Sequence, residues 1–203
     1  MHSARGLAAL AALLLAAPLA AQETGTPVFK APYRAFDKME FGATLSDPER
    51  ADIAIEGQYS FGFGVHDFGL RGGWADTGAG DAFLAGGSFR SRVITNSKSF
   101  PLDGAVTAGF GTQLGDGPDA FFVPVGLSLG RRVELEGSKI SFVPYVHPVV
   151  VPTFWAGDNA PDGGVDFAVG LGVDIRFGGN IDVRVSGGIG DLGGVAIGVV
   201  WVH

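Results

Sequence analysis

Charged side chains recur at alternate positions through most of this chain: Lys38, Glu40, Glu56, Asp67, Arg71, Arg90, Arg92, Arg132, Asp166, Asp174, Arg176, Asp182 and Arg184. Seven are basic and six acidic. A mixed set of this kind offers one chemistry above all, charge-assisted bonding in which a guanidinium bridges several carboxylates. Acid–base catalysis is less well provided for. His66 and Asp67 are adjacent, so in a strand they point to opposite faces and cannot form a dyad. His147 sits in Tyr145-Val146-His147-Pro148 with no serine two residues on, and His203 is the last residue. There is no cysteine, and no His/Cys/acid spacing suits a metal. The glycines from Gly69 to Gly73 precede no helical pattern, so they are not a phosphate cradle. No catalytic residue, metal site or cofactor is expected, and the charges are expected to pair with one another.

The elements that carry them are strands. Val165 to Phe177 alternates strictly, with Val165, Phe167, Val169, Leu171, Val173, Ile175 and Phe177 on one face. Asp166, Ala168, Gly170, Gly172, Asp174 and Arg176 share the other. Period two identifies a β-strand, and the polarity of its faces locates it. The charged face is too small and too polar for an ordinary core. The opposite face is a continuous apolar band. A transmembrane barrel has this arrangement, apolar toward lipid and polar toward the lumen. The alternation repeats from about Lys38 to the last residue in about ten strand candidates bounded by Gly/Asp/Pro turns. Eight strands result if one hairpin is misread. The seventh candidate, Ile140 to Phe154, differs in having two apolar faces.

Composition agrees. The chain has 203 residues, 34 of them glycine, with 46% hydrophobic and 17% charged residues. A net charge of −7 with no basic run argues against a nucleic-acid partner. Residues 1–21 read as a cleaved signal peptide, with Arg5 as the positive region, Leu7 to Leu15 as the apolar region and cleavage after Ala21. Residues 22–36 contain Pro27 and Pro32 and read as a weakly ordered periplasmic lead-in to a barrel over 37–203. With both termini periplasmic, the loops around Gly78 and Asn159 are extracellular, and the tight turns near Gly62 and Gly178 are periplasmic. Tyr59, Trp74, Phe89, Tyr145, Trp155 and Trp201 are candidates for interfacial aromatic girdles.

The pattern over 37–203 resembles the small outer-membrane β-barrels of the OmpA/OmpX type. Val195, Ile197, Val199 and Trp201 alternate in the last strand. They are similar to the C-terminal insertion signal of that class, although the chain ends in His203 rather than an aromatic. The resemblance implies a closed antiparallel up-and-down barrel in the bacterial outer membrane, inserted by the barrel-assembly machinery and solvated by outer-membrane lipids. Its function is then a structural role or a narrow passive pore. A lumen filled by the Arg/Asp/Glu network is favoured over an aqueous channel, because so few strands enclose little more than side chains. Two readings compete: a lipid-modifying barrel enzyme using His66 or His147, and a soluble secreted barrel binding a small apolar ligand. Fractionation separates the soluble alternative. The protein is expected in the detergent-extracted membrane fraction with heat-modifiable gel migration, and recovery as a soluble periplasmic protein would exclude the membrane barrel.

Overall fold

The computed structural model describes residues 23–32, 38–78 and 80–203. The proposed signal peptide, residues 1–21, lies outside them. Among the described residues, twelve strand segments form one sheet: β1 (Met39–Pro48), β2 (Ile53–Phe63), β3 (His66–Thr77), β4 (Gly80–Ile94), β5 (Asp103–Gly115), β6 (Asp119–Phe122), β7 (Val125–Gly130), β8 (Val133–Glu134), β9 (Ile140–Ala156), β10 (Gly164–Phe177), β11 (Ile181–Gly190) and β12 (Gly194–Val202). β6, β7 and β8 all pair with β9 in one continuous register: Phe122 faces Thr153, Val125 faces Val150 and Val133 faces Phe142. They are one stave. The break falls at Pro124, whose ring nitrogen has no hydrogen to donate. Neighbouring backbone compensates, with Gly109 N–H bonded to Pro124 O at 2.7 Å and Val123 N–H to Pro152 O at 3.0 Å. Ten antiparallel staves result, in meander order.

The meander closes on itself. β12 pairs with β1 from Glu40 opposite Val202 to Pro48 opposite Gly194. Met39 and His203 exchange both backbone bonds at 3.0 Å. Closure removes the free edges that an open sheet would present.

Strand alternation then sorts every stave into an outer and an inner set. One outer row runs from Leu70 through Tyr59, Phe41, Trp201 and Ile181 to Phe177, each opposite the next, and all are exposed. Val195, Ile197, Val199 and Trp201 of β12 share this outer face, and Trp201 stacks on His203. Another outer row, Phe61, Phe68 and Phe89, forms a chain of ring contacts 5.1–5.5 Å apart. Large apolar side chains left outside with polar ones inside is the reverse of a soluble barrel and the arrangement of a transmembrane one. Trp74 also faces outward, whereas Tyr145 and Trp155 do not fit the girdle expectation. Both lie on the inward set of β9, where Tyr145 is buried in the interior and Trp155 lines a cavity.

The turns are short and local. Gly64 and Val65 join β2 to β3, with Gly64 at φ +63°, so the turn sits just beyond the expected Gly62. Residues 178–180 join β10 to β11, with Gly178 and Gly179 both at positive φ. The longest connections are 95–102 and 157–163.

Leu171 sits midway along β10 on the outer face and is half exposed. A charge there meets hydrocarbon. Leu171→Arg is expected to weaken folding into lipid vesicles by about 2–4 kcal/mol, with Leu171→Ala costing clearly less. Denaturant titration read by the heat-modifiable gel shift measures both.

Candidate functional site

The candidate site is the barrel interior, and it holds more than inward side chains. Residues 23–32 lie within it and are almost wholly buried. This corrects the expectation of a weakly ordered lead-in over 22–36; residues 33–37 lie outside the described residues. The segment has no regular secondary structure, so its backbone polar groups need partners from the wall. They find them. Tyr145 Oη donates to Phe29 O at 3.0 Å and Arg90 Nη1 to Ala31 O at 2.7 Å. Ser186 Oγ donates to Pro27 O at 2.8 Å, Gln113 Nε2 to Thr24 O at 2.9 Å, and Ser128 Oγ to Lys30 O at 2.5 Å. Lys30 N–H donates to His147 Nδ1 at 3.1 Å. Because that nitrogen accepts, the neutral His147 ring carries its proton on Nε2, 2.9 Å from Thr107 Oγ1.

Space for the segment comes from inward glycines. A Cβ at Gly111 would stand 1.5 Å from Glu23 O. Cβ atoms at Gly86 and Gly109 would meet the Glu23 side chain at 2.7 and 2.6 Å. A Cβ at Gly170 would lie 1.9 Å from the Phe29 ring, and one at Gly188 2.9 Å from it. These gaps are well inside van der Waals contact, so the wall is moulded to the segment. His147 meets the Phe29 ring edge-on, with centroids 5.9 Å apart. Val143, Tyr145, Val149 and Val151 of β9 join Phe29, Ala31 and Phe122 in one apolar cluster. The two apolar faces of this strand now have a cause, since one meets the outside and the other meets the segment.

The charges divide into three groups. The first is bound to the segment. Glu23 pairs with Lys30 and lies 3.8 Å from Arg71. Arg71 reaches Glu56 at 3.4 Å, and Glu56 accepts bonds from Thr24 and Thr26 at 2.7 and 2.8 Å. Arg90 pairs with Asp67 at 3.0 Å beside Ala31. The second group closes the seam between β1 and β10–β12. Arg184 bonds Glu40 and Asp182, each at 3.0 Å, and approaches Asp174 at 3.3 Å. Arg176 grips Asp182 through two bonds, 2.6 and 2.8 Å. The third is a strap between loop and wall, in which Arg50 holds both oxygens of Asp166 at 2.7 and 3.1 Å, and Thr153 Oγ1 donates to Asp166 at 2.6 Å.

The interior set expected from spacing is thus brought together in part. Glu40, Glu56, Asp67, Arg71, Arg90, Asp166, Asp174, Arg176, Asp182 and Arg184 all take part in these pairs. Lys38 and Arg132 are exposed, a correction with a simple cause. Lys38 precedes β1, and Arg132 falls in the gap between β7 and β8, so both lie where the stave gives no inner face. Arg92 is half-buried beside the β4–β5 register shift. Glu23, Lys30 and Arg50 were not anticipated, because none lies on an alternating strand. The inward glycines and the doubly apolar seventh strand were the available signals that something else occupies the interior.

No protein-family model matches the chain, and no curated protein matches it. The chain is similar to several solved structures. A de novo designed transmembrane β-barrel is 15% identical over 82% of this chain and 96% of its own, with a TM-score of 0.41. The β domain of the Bordetella autotransporter BrkA is 12% identical over 82% of this chain and 99% of its own, with a TM-score of 0.45. The KdgM porin is 11% identical over 81% and 98%, with a TM-score of 0.37.

Burial alone would raise the Glu23 carboxyl, but Lys30 and Arg71 outweigh it and hold the group down from the usual 4.5 to about 2. A depressed pKa contributes stability above about 4.5 that is lost as pH falls toward about 2. Acidification through that window is expected to loosen the segment and expose Phe29 to pepsin. In Glu23→Gln the cleavage should already be fast and should show no comparable rise across the window. A Glu23→Gln profile identical to that of the parent would place the acid sensitivity elsewhere.

Proposed function

We propose that this chain is an integral outer-membrane β-barrel of structural role whose lumen is sealed by its own residues 23–32. The observation that carries the reading is the burial of that segment against a wall cut to its shape, with Glu23 only 2% exposed. The apolar outer face supports membrane residence, since water would not tolerate so continuous a belt. The alternating β12 face, Val195, Ile197, Val199 and Trp201, supports insertion through the barrel-assembly machinery after removal of residues 1–21, in the manner of the OmpA/OmpX type.

Among the described residues, the small cavities around the segment support sealing over a passive pore. Beside the segment, among Glu23, Lys30, Ser60, Asp67, Arg71 and Arg90, there is a cavity of about 30 Å³. That is room for one or two water molecules. Toward the loop end a cavity of about 190 Å³ lies between Arg50, Asp81, Gln113 and Trp155. A second cluster, Ala51, Ala54, Ala75 and Leu84, packs the interior as an apolar patch. The engagement of both His147 nitrogens, by Lys30 N–H and by Thr107, supports a structural rather than a catalytic role for this residue.

Planar-bilayer recording tests the proposal. The full chain is expected to show no stable conductance steps at neutral pH, whereas Gly170→Val, which denies Phe29 its place, should conduct. Steady open-channel steps from the parent chain would overturn the sealed-lumen reading and favour the narrow pore.

A further inference from the structure

The wall contacts residues 23–32 in two distinct ways. Ser128, Arg90, Tyr145 and Ser186 donate to carbonyl oxygens of Lys30, Ala31, Phe29 and Pro27. Carbonyl groups are common to every peptide, so these bonds set a path without demanding a sequence. Selectivity sits where the wall meets side chains, and besides Arg71 beside the Glu23 carboxylate two places stand out. Glu56 accepts from the hydroxyls of Thr24 and Thr26. The slot over Gly170 and Gly188 takes the Phe29 ring, with the edge of His147 against it. Main-chain hydrogen bonds for affinity and pockets for chosen side chains are a general division of labour in peptide recognition.

We infer that the inner wall is a peptide-binding site. Its ligand is a short segment, bent at its start, carrying two hydroxyl residues followed by an aromatic one, and in this structure the chain's own residues 23–32 occupy it. The inference rests on the sealed-lumen reading and deepens it: the seal is a bound ligand attached through residues 33–37, and the site accepts the same ligand supplied in trans. A tethered occupant has an effective concentration in the millimolar range. The unaltered chain therefore excludes micromolar competitors, and a chain with a weakened tethered segment admits them.

The test uses the full chain in detergent micelles and a fluorescein-labelled synthetic peptide of residues 23–32, read by anisotropy. Phe29→Ala in the chain empties the slot while leaving the wall intact. Saturable binding of the peptide is expected, at least tenfold tighter than to the parent chain. A peptide with alanine in place of its phenylalanine should bind the same variant at least tenfold more weakly, and adding Gly170→Val to the chain should abolish binding. Thr24→Ala/Thr26→Ala gives a second weakened occupant, used if Phe29→Ala lacks the heat-modifiable migration of a folded barrel. Equal binding of the two peptides, or none by a folded variant, overturns the inference. A conducting parent chain whose variant still selects the phenylalanine peptide would overturn only the sealed-lumen reading. A silent parent chain whose folded variant ignores the peptide would overturn only this one.

Discussion

Barrel closure creates an enclosed space that must be filled, and the rest of this structure follows from how it is filled. Pairing β1 with β12 satisfies the last backbone edge, which is a condition for crossing hydrocarbon at all. The same step shuts the polar face of every stave away from bulk water. Eight staves leave an interior that side chains can fill. Ten staves with glycine at many inward positions leave more. Residues 23–32 occupy the difference, and the glycines at 86, 109, 111, 170 and 188 are the imprint of that occupancy on the wall.

The interior is chemically divided, and the segment matches the division. Glu56 of β2 and Arg71 of β3 face Glu23, Thr24 and Thr26, while apolar side chains of β6 and β9 face Phe29. Buried charges are tolerable only when each has its partner, and removing one member of such a set costs more than the set contributes. The pairs between Arg184 and Glu40 and between Arg50 and Asp166 join residues 144 and 116 apart in the chain. They tie β11 to β1 and the β1–β2 loop to β10, parts that only closure brings onto one lumen. The outside is under a looser constraint: lipid asks for apolar area and little shape. Sequence specificity in this barrel is therefore concentrated on the inner face.

The stave architecture was legible because it is written locally. Side-chain alternation along a strand and the turn chemistry of glycine and aspartate operate over a few residues. They marked about ten staves and the face on which most charges lie, and even the stave interrupted at Pro124 kept its register, since proline removes only one donor. Parity alone could not say where a stave ends, which is why Lys38 and Arg132 fell outside the interior.

By itself the sequence determined the period, the polarity of the two faces and the absence of any thiol chemistry, because each is a property of neighbouring residues or of composition. It left undecided which charges meet and what fills the lumen. Glu23 against Arg71, and Phe29 against Gly170 and Gly188, join segments remote in the chain through complementary shape, with no spacing or repeat to announce them. Only the tertiary structure, by curling ten staves around one short peptide, made those contacts possible.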